Sequence, residues 1–126
     1  MKNKKFDLED RLIDFAISVS EIAESLPGSA LGNTIKNQMV RSGTSPALNY
    51  GEAQSAESTK DFVHKFKIIL KELRETMVCL KIISRKPLIK PISIPNPILN
   101  ENNELISIFV TSIKTAHSNE IKRTNK

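Results

Sequence analysis

Aromatic and sulfur chemistry are scarce in this chain: 126 residues hold no tryptophan, one tyrosine and one cysteine, Cys79. A lone cysteine excludes an internal disulfide framework and any zinc site of the usual cysteine count. It suits a reducing compartment, and the expected location is cytoplasmic. Long apolar runs are missing too. No stretch of about 18 uncharged apolar residues occurs, and the opening MKNKKFDLEDRL turns acidic where a signal peptide needs an apolar run. The expectation is a chain neither exported by that route nor embedded in a membrane. Alternation of apolar and polar residues at period two is also lacking, which argues against strands.

Catalytic and nucleotide-binding signatures are absent in turn. There is no phosphate-cradling G-x-x-x-x-G-K-[ST] loop, no G-x-G-x-x-G and no H-E-x-x-H. A di-iron bundle needs two Glu-x-x-His pairs and two further carboxylates. The chain offers only Asp61-x-x-His64, while His117 has Lys114 three residues before it. Ser42, Thr44 and Ser45 fall mid-helix, where hydroxyls bond backbone carbonyls. No catalytic residue, metal, cofactor or small-molecule substrate is expected.

What is present is helical periodicity. Leu8, Leu12, Phe15, Val19, Ile22 and Leu26 are spaced 4, 3, 4, 3, 4, a heptad seam predicting a helix over about 7–26 that stops at Pro27-Gly28. Phe62, Phe66, Ile69, Leu73, Thr76, Leu80 and Ile83 repeat that seam over about 59–84, with Ser58 and Asp61 as a capping pair. Four of the six prolines then fall in SRKPLIKPISIPNPILNEN, read as a connector whose Leu88, Ile89, Ile92 and Ile94 lie along the bundle. A shorter helix is predicted over about 101–116, with a frayed tail over 117–126. The whole forms one all-α domain, an up-and-down antiparallel four-helix bundle.

The second helix, about 29–56, is the odd one. Its seam through Leu31, Ile35, Gln38, Ser42, Ser45, Asn49, Glu52 and Ala56 is small or polar, and the neighbouring register through Met39, Gly43, Pro46, Tyr50 and Ala53 is hardly better. Each interior glycine costs about 1 kcal/mol and the proline about 3 relative to alanine, so tertiary packing has to hold this helix. Pro46 is expected to kink it. Asn49 and Glu52 either face solvent or turn inward, where each needs a donor such as Arg41, Arg74 or Thr76. Ile13, Ile17, Ile68, Val78 and Ile82 fall off the core faces, an arrangement that suits self-association.

Charge is unevenly distributed. Residues 6–59 carry three basic and eight acidic side chains, residues 60–90 nine basic and three acidic. Lys60, Lys65, Lys67, Lys71, Lys81, Arg85, Lys86, Lys90, Lys122 and Arg123 are therefore candidates for contact with nucleic-acid phosphates. With aromatics so few, structured or double-stranded RNA or DNA suits them better than single strands. The alternative is a protein-interaction scaffold whose basic face meets the acidic first helix of another subunit.

Residues 38–83, QMVRSGTSPALNYGEAQSAESTKDFVHKFKIILKELRETMVCLKII, carry a further signal. Gln38, Arg41 and Ser42, then Asn49, Glu52 and Ala53, then Ser58, Phe62, Phe66, Glu75 and Thr76 resemble the pattern of the 23S rRNA intervening-sequence protein family. The resemblance spans roughly residues 6–84. It implies a four-helix bundle, often assembled as a ring-like homopentamer, in which those pattern residues serve packing or oligomer contacts. Relatives implied with it include the accessory variability protein of diversity-generating retroelements, a similarly pentameric, basic protein regarded as nucleic-acid-binding. The connector Pro87–Pro97 is longer and more apolar than the family pattern.

Overall fold

The computed structural model describes residues 7–124 and contains four helices: α1 Leu8–Glu24, α2 Ala30–Ala53, α3 Thr59–Arg85 and α4 Asn96–Thr124. Each packs against the next in sequence, and α4 returns to touch α1 over a much smaller contact. Short loops between successive neighbours make the bundle up-and-down and antiparallel. No strand occurs among the described residues.

The seams of α1 and α3 are buried as their spacing requires. Leu12, Phe15, Val19 and Ile22 face Phe66, Ile69, Leu73, Leu80 and Ile83 within one core that also takes in Leu105 and Phe109 of α4. Capping fixes the helix starts. Asp7, Ser29 and Ser58 each accept a hydrogen bond at 3.0 Å from the backbone N–H three residues on, satisfying one otherwise orphaned donor apiece. At one end of the bundle Phe66 meets Phe62 at 4.1 Å and Phe109 edge-on at 4.9 Å between ring centroids. Offset and edge-to-face geometries of this kind suit the ring quadrupoles.

The second helix continues unbroken through Pro46. Its buried residues are Gly32, Ile35, Met39, Ser42, Gly43, Pro46 and Ala53, so the register through Met39, Gly43, Pro46 and Ala53 prevails, and of the Leu31–Glu52 seam only Ile35 and Ser42 are buried. Gly43 explains the choice. A β-carbon there would stand 2.6 Å from Val19 Cγ1, so the absence of a side chain lets α1 and α2 approach. Glu52 consequently turns out to solvent, and its partner is Lys65 at 2.9 Å, not Arg41, Arg74 or Thr76. Asn49 is half-buried and donates within its own helix to the Ser45 carbonyl at 3.0 Å and hydroxyl at 2.9 Å.

Across the α2–α3 seam polar groups replace large apolar ones. The Ser42 and Thr76 hydroxyls lie 2.7 Å apart, both buried, and Thr76 also donates to the Glu72 carbonyl. The Arg41 guanidinium reaches the Glu72 carboxylate at 2.9 Å, the Gln38 amide oxygen at 3.0 Å, and the Glu75 carboxylate. Only 7% of the Glu72 side chain is exposed, so its charge needs that partner; 53% of Arg41 is exposed, so the guanidinium keeps contact with water.

The fourth helix departs from the predicted 101–116 at both ends. It starts at Asn96, since Pro97 falls in the first turn, where a missing N–H breaks no helical bond. It runs on to Thr124, so residues 117–124 are helical where a frayed tail was expected; residues 125 and 126 lie outside the described residues. Half-buried Ala116 and Glu120, with an Arg123–Glu120 pair at 3.1 Å, hold these last turns. The connector shrinks correspondingly. Leu88 and Ile89 pack on the core, whereas Ile92 and Ile94 are exposed.

Asn102 of α4 is fully buried against α3. With its amide nitrogen on the Leu73 carbonyl and its oxygen on the Met77 N–H, both at 3.1 Å, it satisfies both halves of the side chain. Arg11 makes the corresponding link from α1, donating to both carboxylate oxygens of Glu101 at 3.0 and 2.5 Å.

Two stability outcomes follow from this packing. Gly43→Ala forces α1 and α2 apart and is expected to cost about 1–3 kcal/mol in urea denaturation. Gly51→Ala, which meets nothing within 4 Å, is expected to stabilise by about 0.4–1 kcal/mol. Equal effects of the two substitutions contradict the close approach. Arg41→Ala is expected to lose about 2 kcal/mol, and Glu72→Gln in that background to recover part of it, a coupling that a double-mutant cycle measures directly.

Candidate nucleic-acid interface

On α3, Lys60, Lys67, Lys71, Arg74, Lys81 and Arg85 follow one another at intervals of 7, 4, 3, 7 and 4 residues, and all are exposed. That spacing keeps them on one flank of the helix. Lys60 and Lys67 line a cleft with Ala116 and His117, so the flank faces the side of α4. Over the 25 steps from Lys60 to Arg85, a helix rises about 38 Å, close to one turn of duplex DNA. None of the six forms an ion pair with a carboxylate among the described residues.

Acidic side chains sit on the other flank. Asp61 lines a concavity with Glu52, Glu57 and Lys65, while Glu72 and Glu75 meet Arg41 farther along. Lys65 therefore lies apart from the other predicted cations and is engaged with Glu52, whose hydrogen bond raises the Lys65 pKa. Lys86 and Lys90 are exposed beyond the end of α3, in the connector. Because α4 is antiparallel to α3, Lys122 and Arg123 lie in the last turn of α4, toward the start of α3, and Arg123 is paired with Glu120.

Arg74 was not among the sequence candidates, though it fills the gap between Lys71 and Lys81. Its 3-residue step from Lys71 and 7-residue step to Lys81 continue the heptad and were the available signal.

The pattern residues divide by role. Arg41 and Ser42 of α2 meet Glu75 and Thr76 of α3, and Gln38 accepts from Arg41; Ser58 caps α3, and Asn49 and Glu52 make the contacts already described. Cys79 is buried beside the core, and desolvation pushes its thiol pKa up, away from the thiolate needed for nucleophilic chemistry. Ile13, Ile17 and Val78 remain exposed, whereas Ile68 is half-buried and Ile82 packs against the core. No three His, Cys, Asp or Glu side chains among the described residues come together as a metal site requires. No helix among them is long and apolar enough to cross a membrane.

A family model for the 23S rRNA-intervening sequence protein matches residues 4–110. Among solved structures, a protein of unknown function from the S23 ribosomal protein family of Bacteroides thetaiotaomicron VPI-5482 is similar at 30% identity, with a TM-score of 0.76, over 84% of this chain and 97% of that one. No curated protein matches the chain. Arg41, Ser42, Glu75 and Thr76, which carried the resemblance, thus join α2 to α3, with Gln38 holding the Arg41 guanidinium, and the chain belongs to the 23S rRNA-intervening sequence protein family.

Proposed function

We propose that this protein is a non-enzymatic, homo-oligomeric helical bundle of the cytoplasm that binds structured RNA or DNA through the basic flank of α3. The observation that carries the proposal is the run of six exposed cations from Lys60 to Arg85, unpaired among the described residues, with the acids of α3 on its opposite flank. Sorting the charges this way leaves a positive strip that α2 does not neutralise. Exposed Lys86 and Lys90 follow it beyond the end of α3. Lysine and arginine contacts to phosphates displace condensed counterions, so such a strip supplies affinity without reading sequence.

A second reading has its own support. The outer face of α1 exposes 41% of Ile13 and 54% of Ile17 beside acidic Glu9 and Asp14, a surface that another subunit could cover with its basic flank. In that case the cations serve as a protein-interaction scaffold, and the strip is consumed on assembly.

Fluorescence anisotropy with a labelled RNA hairpin separates the two. If six cations engage phosphates, log K falls against log salt with a slope of roughly −5. Lys67→Glu combined with Lys71→Glu then weakens hairpins of unrelated sequence alike and leaves the sedimentation coefficient of the free protein unchanged. A shift of that variant to smaller species, with no hairpin binding by the parent protein at low salt, favours the scaffold instead.

A further inference from the structure

Where α3 begins and α4 ends, the two helices enclose a cleft of about 460 Å³, within the range of sites that hold a drug-sized ligand. Its floor is apolar, formed by Val63 and Ala116. His64 and His117, the only histidines of the chain, line it from opposite helices, and Lys60 and Lys67 bring the ammonium groups of the basic strip to it. Glu120 is the one carboxylate that lines it, and that charge is compensated by Arg123 at 3.1 Å. The neighbouring concavity on the other flank of α3 is lined instead by Glu52, Glu57 and Asp61. Of these two concavities, the α4-side cleft is the one that combines flat rings, an apolar floor and cations without an ion-pair partner among the described residues.

These are the groups that an unpaired nucleotide needs. A base stacks on planar side chains whatever its identity, and its phosphate pairs with nearby ammonium groups. Tyr50, Phe62 and Phe66 line a separate concavity that no lysine or arginine reaches, so the imidazoles are the platforms that stand beside cations. We propose that the cleft takes one unpaired nucleotide of a structured RNA, with the base against Val63, Ala116 and the two imidazole rings and the phosphate on Lys60 and Lys67. The inference rests on the nucleic-acid reading and refines it: the adjoining duplex lies along α3, and the preferred ligand carries a single-stranded end or bulge.

The test compares a blunt RNA hairpin with the same hairpin bearing a one-nucleotide overhang, by anisotropy, with adenosine monophosphate as competitor. The overhang is expected to tighten binding about tenfold, the effect of one modest base-stacking contact. His64→Ala combined with His117→Ala is expected to abolish that gain and leave the blunt hairpin's affinity unchanged. Both residues are exposed, and unchanged helical circular dichroism verifies the fold of the variant. Excess adenosine monophosphate that erases only the overhang's gain also supports the cleft. Equal affinity for both hairpins, or a gain that survives loss of both histidines, overturns the cleft while the basic strip stands. Failure of both hairpins to bind at low salt overturns the nucleic-acid reading and the cleft together.

Discussion

Glu72 is a carboxylate almost withdrawn from water in the seam between α2 and α3, and the Arg41 guanidinium is the positive charge that compensates it. An unpartnered carboxylate there costs several kcal/mol, so the two helices have one favourable relative position, in which Arg41 spans Gln38, Glu72 and Glu75. That position brings the adjoining Ser42 and Thr76 hydroxyls together in the buried seam and turns Gly43 toward Val19. A helix that contains three glycines and a proline among its buried and exposed faces does not persist on propensity. It persists because α1 and α3 close on it from both sides.

The same constraint arranges the surface. Once Arg41 has drawn Glu72 and Glu75 toward α2, and Glu52 has engaged Lys65, the acids of α3 are spent on one flank. The cations on the other flank form no ion pair with a carboxylate among the described residues, and in the proposed function their charge meets nucleic-acid phosphates. Structure and proposed function are thus connected through charge sorting about a single helix axis: polar contacts specify how α2 meets α3, and what they leave behind is the strip.

The sequence was most legible where large apolar residues recur. The α1 and α3 seams follow directly from 4-and-3 spacing because burial of Leu, Ile and Phe dominates their packing. The α2 register was not legible, because Gly43, Ser42 and Pro46 contribute closeness instead of area, and small side chains leave no periodic hydrophobic trace. For that reason Glu52 stayed open between solvent and the interior until the register was known. The ends of α4 were missed because its prolines and polar tail argue for breaks locally, whereas position within the first turn and contact with α3 decide the outcome. Asn102, a single buried amide satisfied by the α3 backbone, had no pattern to announce it. Of the candidate interface, most cations were evident from composition, but their division into a free strip and a paired Lys65 required knowing which flank faces α2.

Lysine footprinting during RNA binding tests the central claim most directly, since it reports on each amine where it stands. The account predicts that Lys60, Lys67, Lys71 and Lys81 lose reactivity toward an amine-acylating reagent when a structured RNA is added, while Lys36 of α2 does not. Protection centred on Lys36, or spread evenly over every lysine, would contradict it.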